Sequence, residues 1–184
     1  MGRYLTIGIA TKILINKEHA RAQASATSEE VKKALQDTFN QSGIYDVKEN
    51  ESCVWLALKP TIAEPEWLEF LQDFYKLRYQ DEMRGNMADL EIIKTRKTLK
   101  EWLELAKEKP YPAFQLDNNV DHNIPFPRGW TNTLRTNIEQ IILSIDGKII
   151  MECYDDVFSF FTYLIKERLS KYQLTNSLLV EISG

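Results

Sequence analysis

Apolar and polar residues change their spacing several times along the chain, and each change marks an element. From Tyr4 to Ile15, alternation mixed with β-branched residues predicts a long strand. A polar, Ala-rich connection follows as far as Thr27. There Thr27 and Glu30 form a capping box, Thr27 as N-cap and Glu30 three residues on. Val31, Ala34, Leu35, Thr38 and Phe39 then recur at helical spacing, and Gly43, the residue best suited to positive φ, marks the end. Ile44–Lys48 and Ser52–Lys59 read as strands of a hairpin around the polar turn Glu49-Asn50-Glu51.

Pro65 occupies a favoured first helical position, with Glu64 and Glu66 complementing the helix dipole, and Trp67, Phe70, Leu71, Phe74 and Leu77 form the apolar stripe. Leu90–Lys94 fits either a strand or the first turns of a helix. A second capping box, Thr98 to Glu101, predicts a helix over 98–108. With 90–94 as a strand, the first half runs β-α-β-β-α-β, the ferredoxin-like order. Asn137–Ile145 and Lys148–Tyr154 flank Asp146-Gly147, a strong short-range hairpin signal. Asp155 or Asp156 caps a helix in which Val157, Phe158, Phe160, Phe161, Tyr163, Leu164 and Ile165 leave almost no polar face, so burial on most sides is expected. Leu178–Ile182 is the closing strand.

The expected fold is therefore α+β, with antiparallel pairing, a ferredoxin-like N-terminal half, a β-β-α-β C-terminal part and helices mainly on one face. Residues 1–184 are expected to form one domain, a subdivision into 1–108 and 137–184 being the alternative. Periodicity does not decide between one sheet and two.

Between these parts, residues 109–136 show no clear period and hold four of the six prolines. Loops of this length are uncommon in compact domains and are usually functional or disordered. Phe114, Phe126 and Trp130 argue for order. An ordered, preformed loop is the first place in this sequence to look for a site.

Composition narrows the classes. With 43% hydrophobic, 11% aromatic and 27% charged residues, the chain reads as globular. No apolar run reaches membrane-spanning length and no signal peptide is recognisable, so a cytoplasmic protein without membrane association is expected. Met1-Gly2 fits the short acylation pattern, but the residues after it also begin a strand. Cys53 and Cys153 lie in apolar runs, outside any C-x-x-C pair, and are expected as buried free thiols. A net charge of −4 disfavours binding to a phosphate backbone, so no nucleic-acid partner is expected.

Candidate chemistry is sparse. Asp117, Asn119 and Asp121 match the start of a calcium loop, but His122 stands where Gly is needed and Arg128 where a bidentate Glu is needed. Asp and Asn clusters of this kind commonly make turns, and no metal is expected. Glu152, Asp155 and Asp156 are explained by a strand end and helix caps, because Tyr154 stands where a metal nuclease would need Lys. His19 and His122 are the only imidazoles, and no nucleophile elbow, zinc, phosphate-loop or dinucleotide pattern occurs. No cofactor or catalytic residue is assigned.

Charge is uneven. Residues 44–73 carry seven acidic against two basic side chains, and Glu66, Glu69 and Asp73 share one helix face. Arg128 and Trp130 are residue types that dominate binding hot spots. The expectation is a small acidic protein-binding domain, of inhibitor or immunity type, whose Glu66, Glu69, Asp73, Asp117, Asp121, His122, Arg128 and Trp130 face a basic protein partner. Two other classes compete with it: an enzyme using Asp117, Asp121, His122 and Arg128, and an assembly subunit with the C-terminal helix as its homo-oligomer surface.

Overall fold

The computed structural model describes residues 4–63, 114–128, 132–146, 150 and 154–183, together with 66, 69, 70, 73, 100, 101 and 104. It is a mixed helix and strand fold with antiparallel pairing. Strand β1 (Tyr4–Asn16) leads into α1 (Lys17–Ala24) and α2 (Ser28–Phe39), then β2 (Tyr45–Glu49) and β3 (Cys53–Leu58). After them come β4 (Phe114–Pro125), β5 (Thr133–Asp146), α3 (Val157–Tyr163) and β6 (Leu178–Ser183). The sheet has the order β2-β3-β1-β5-β4, and β6 also pairs with β1. The chain divides into two compact units, one of residues 1–9, 60–116 and 141–184, the other of 10–59 and 117–140.

In the second unit, β1 and β2 flank β3 in antiparallel register, with Leu14 opposite Trp55 and Val47 opposite Leu56. Ile13 and Ile15 of β1 and Val54, Leu56 and Leu58 of β3 are buried at the alternating spacing of strands with one covered face. Helix α2 packs on β3 and α1 packs on α2. Val31, Ala34 and Leu35 form the buried stripe of α2. Its capping box forms as expected: the Glu30 N–H donates to Thr27 Oγ1 at 3.3 Å, and Glu30 Oε2 accepts from the Thr27 N–H at 2.9 Å. Gly43 adopts φ +69, after a helix that ends at Phe39.

The connection expected before Thr27 is instead helix α1. Asn16 caps it by accepting from the His19 N–H at 3.0 Å, and Ser25 ends it in the left-handed region at φ +49. Ala20 and Ala24 are one turn apart and buried. Their small side chains hide an amphipathic pattern that larger residues would have advertised.

Residues 109–136 also depart from the loop expected for them. Residues 114–125 are strand, and 133–146 are its partner, so the segment is largely a hairpin rather than a loop. The Phe126 N–H donates to the Asn132 carbonyl, and the Thr136 hydroxyl donates to that of His122, so both pairs are centred on the same position, 129, as one hairpin requires. Phe114, Leu116, Val120, Ile124 and Phe126 do fall on alternate positions in the sequence. Asn118 and His122 interrupt that alternation, and Asp and Asn are poor strand formers. Along β5, Leu134, Thr136, Ile138 and Gln140 are buried while Thr133, Arg135 and Asn137 are exposed.

In the first unit, β6 pairs antiparallel with β1, Ile7 opposite Val180. Leu5, Ile7 and Ile9 are fully buried, whereas Val180 and Ile182 are exposed. Residues 60–63 are already helical, upstream of the start expected at Pro65, which lies outside the described residues. Helical conformation recurs at 66, 69, 70 and 73, and again at 100, 101 and 104 in the second predicted helix. Ile150 is helical too, its carbonyl accepting from the Tyr154 N–H at 2.9 Å, where a strand over Lys148–Tyr154 was expected; the other residues between Lys148 and Tyr154 lie outside the described ones. A short apolar run cannot separate strand from helix by period alone.

Asp156 caps α3 by accepting from the Ser159 N–H at 2.6 Å. The expected all-round burial fails, since Phe158 is 67% exposed and Phe161 half-buried while Phe160 is buried. A wider π-type turn over Leu164–Leu169 continues from α3 and buries Leu164 and Leu169. Cys53 is a free, half-buried thiol, and Cys153 lies outside the described residues, as do Met1, Gly2 and Leu90–Lys94. No helix among the described residues is long and apolar enough to cross a membrane.

Candidate functional site: the groove between α2 and the edge of β2

Strand β2 ends the sheet order, so one side of its backbone faces away from β3. Antiparallel pairs alternate between residues that exchange backbone hydrogen bonds and residues that point theirs outward. The Lys59 N–H donates to Ile44 O and the Asn50 N–H to Cys53 O, both at 3.0 Å. This fixes the phase: Asp46 and Lys48 bond to β3, while Tyr45, Val47 and Glu49 face out.

Tyr45 is covered. The side-chain amide of Asn40 donates to Tyr45 O and its oxygen accepts from the Tyr45 N–H, each at 2.9 Å, as a neighbouring strand would. The Tyr45 hydroxyl reaches inward and donates to Ala10 O at 2.9 Å. Among the described residues, nothing bonds to the outward backbone groups of Val47 and Glu49.

Alongside this edge runs an open groove of about 610 Å³, lined on α2 by Glu29, Lys32, Lys33 and Gln36 and on β2 by Val47, Lys48 and Glu49. The α2 residues recur at helical spacing, so they project from one side of the helix. Ion pairs set its walls. Lys32 Nζ lies 2.8 Å from Glu29 and 2.6 Å from Glu49, and Glu49 also meets Lys17 at 2.9 Å. Lys17 additionally donates to Asn50 O at 2.6 Å, which ties the start of α1 to the β2–β3 turn. Asn50 organises that turn by accepting from the Ser52 and Cys53 N–H groups.

The carboxylate of Glu29, followed by that of Glu49, holds Lys32 above its ordinary ammonium range, while Lys32 and then Lys17 hold Glu49 below the usual carboxylate range. Both groups are thereby fixed in their charged forms across neutral pH, the opposite of what a proton-transfer pair needs. Lys33 and Lys48 remain exposed and make no ion pair among the described residues. By strand alternation Lys48 projects from the face of β2 opposite Val47 and Glu49, so Lys33 on the α2 side and Lys48 on the other leave one positive charge without an ion pair, among the described residues, on each face of this edge.

The residues singled out from the sequence are distributed differently. Glu66 Oε2 accepts from the Leu174 N–H at 3.0 Å, and Asp73 Oδ2 accepts from the Tyr172 hydroxyl at 2.7 Å and pairs with Lys171 at 2.8 Å. Two carboxylates of the expected acidic face therefore anchor the C-terminal segment, and only Glu69 of the three is exposed without a bonded partner among the described residues. Asp73 raises Lys171 far above the ordinary lysine range. Burial, reinforced by Asp73, pushes the Tyr172 phenol up. Phe70 packs edge-on against Tyr172, with ring centres 5.7 Å apart.

Asp117 and Asp121 are residues of β4, in neither the calcium loop nor the turn considered for them, and His122 is exposed near the end of that strand. Arg128 Nη2 pairs with Glu30 Oε1 at 2.5 Å, fastening the β4–β5 turn to the N-terminus of α2. The Thr27 N–H, then its hydroxyl, then Arg128 keep Glu30 below its usual value. Trp130 lies outside the described residues. No cluster of His, Cys, Asp and Glu fit to hold a metal occurs among the described residues. No protein-family model, curated protein or solved structure was found to match the chain.

Proposed function

We propose that this chain is a protein-binding domain and that the groove between α2 and β2 is where it binds. The carrying observation is the outward backbone of Val47 and Glu49, unpaired among the described residues, beside a groove in which Lys32 and Glu49 hold each other in their charged forms. Exposed strand edges template pairing with other chains and are commonly blunted for that reason. Here Asn40 blunts only the Tyr45 end. A binding role accounts for the rest being left open, and an acid/base role does not.

The narrower reading, a cytoplasmic inhibitor or immunity-type protein for a basic enzyme or toxin, draws its support from the net charge of −4 and from exposed Glu69. The ferredoxin-like reading of the N-terminal half draws its support from β3 lying between β1 and β2, as in the split half of that arrangement.

Affinity capture from the native host with immobilised wild-type chain, Val47→Pro and Glu69→Lys tests the reading. Proline at Val47 removes only an outward N–H, so the β2–β3 ladder stays intact. A partner lost with Val47→Pro and kept with Glu69→Lys supports the groove. One lost only with Glu69→Lys supports the acidic surface instead.

A further inference from the structure

We infer that the occupant of this groove is an extended acidic segment of another protein, added as a strand alongside Val47–Glu49. The inference rests on the protein-binding reading and specifies its partner. Backbone geometry supplies the first half of the argument. The outward N–H and C=O groups of Val47 and Glu49 form two donor–acceptor pairs, two residues apart, which is the repeat an added strand presents. The Asn40 amide already performs this pairing at Tyr45, so it stops an incoming strand at that point and sets its register.

Charge supplies the second half. Both carboxylates lining the groove, Glu29 and Glu49, are neutralised by Lys32, and Glu49 by Lys17 as well. Lys33 from α2 lies on the Val47 and Glu49 face of the edge and Lys48 on the opposite face, each without an ion-pair partner among the described residues. A strand added at this edge, whose side chains alternate between the two faces, meets positive charge on each. Acidic side chains satisfy both lysines, whereas basic ones bring like charges together at short range. A helix would satisfy the lysines but leave the open backbone groups unpaired.

The test uses the full chain, labelled with 15N, titrated at low salt with three eight-residue peptides of the repeat Val-Val-Xaa-Xaa, in which Xaa, present on both faces of an extended strand, is glutamate, lysine or glutamine. The inference predicts that the glutamate peptide shifts the Val47 and Glu49 amides, binds at least ten-fold more tightly than the lysine peptide, and weakens as salt rises. The double change Lys33→Glu, Lys48→Glu should reverse that preference, and Val47→Pro should abolish binding of every peptide at this edge. Equal binding of all three peptides would overturn the acidic partner while leaving the groove a protein-binding site. Shifts at Val47 and Glu49 that depend only on the concentration of the chain itself would identify a second copy as occupant and overturn the inference. No shift at either amide, together with capture of a host partner that survives Val47→Pro, would overturn both the inference and the groove.

Discussion

The side-chain amide of Asn40 is hydrogen-bonded in both directions to the backbone of Tyr45, closing one end of an otherwise open strand edge. Truncating it by Asn40→Ala frees a donor and an acceptor at a nearly buried residue, for a cost of about 1–3 kcal/mol. Asn40→Asp keeps the acceptor for the Tyr45 N–H but sets a carboxylate against Tyr45 O, and should be no better. Chemical denaturation of both variants measures this. An unchanged midpoint in both would mean the bonds contribute nothing to folding.

The C-terminal segment should depend on Asp73. Removing it by Asp73→Ala leaves the buried Tyr172 hydroxyl without its acceptor and should cost about 1–3 kcal/mol, while Tyr172→Phe, which leaves Asp73 paired with Lys171, should cost about 0.5–1.5. Glu69→Lys, on an exposed residue, should change stability by less than about 0.5 kcal/mol. Thermal unfolding of the three variants should give that order.

Within α3, Phe160→Ala should cost about 3–5 kcal/mol, the usual range for a core Phe, and half-buried Phe161→Ala clearly less. Comparable losses at the two positions would place Phe161 in the core as well. Gln140 shows the reverse case. Its buried Oε1 has no hydrogen-bond partner among the described residues, so Gln140→Met should be neutral or stabilising by about 1 kcal/mol.

The ion pairs around Glu49 have a defined pH signature. Because Lys32 and Lys17 depress the Glu49 carboxyl, its contribution is complete above the ordinary value of 4.5 and is lost as pH falls through the lower folded value. Lys32 is raised from 10.5, so its share is complete below that value and is lost at higher pH. Melting curves of wild type and Glu49→Gln should differ by a constant amount near neutrality and converge in acid below 4.5. Curves that stay parallel well below that point would deny Glu49 this role.

Strands β1, β2, β3 and β6 and the capped helix α2 were legible in the sequence, because alternation and the Thr27–Glu30 box are local signals. Helix α1 was hidden by its alanines, and β4 by the Asn and His residues that interrupt its alternation. The site was largely illegible. Lys32, Lys33 and Lys48 are ordinary surface lysines until the β2–β3 register and the packing of α2 set them around one edge. The Glu29, Lys32, Lys33 and Gln36 spacing on α2 was the one available hint. The intramolecular bonds of the acidic trio were equally illegible, since only tertiary structure hands Glu66 to Leu174 and Asp73 to Tyr172.

Amide hydrogen exchange, residue by residue along β2, tests the open edge most directly. In the free protein Tyr45, Asp46 and Lys48 should exchange slowly and Val47 and Glu49 fast, those last two becoming slow when the acidic peptide is bound. Slow exchange at Val47 and Glu49 in the free protein would show that the edge is already paired and would overturn the open strand edge as a binding site.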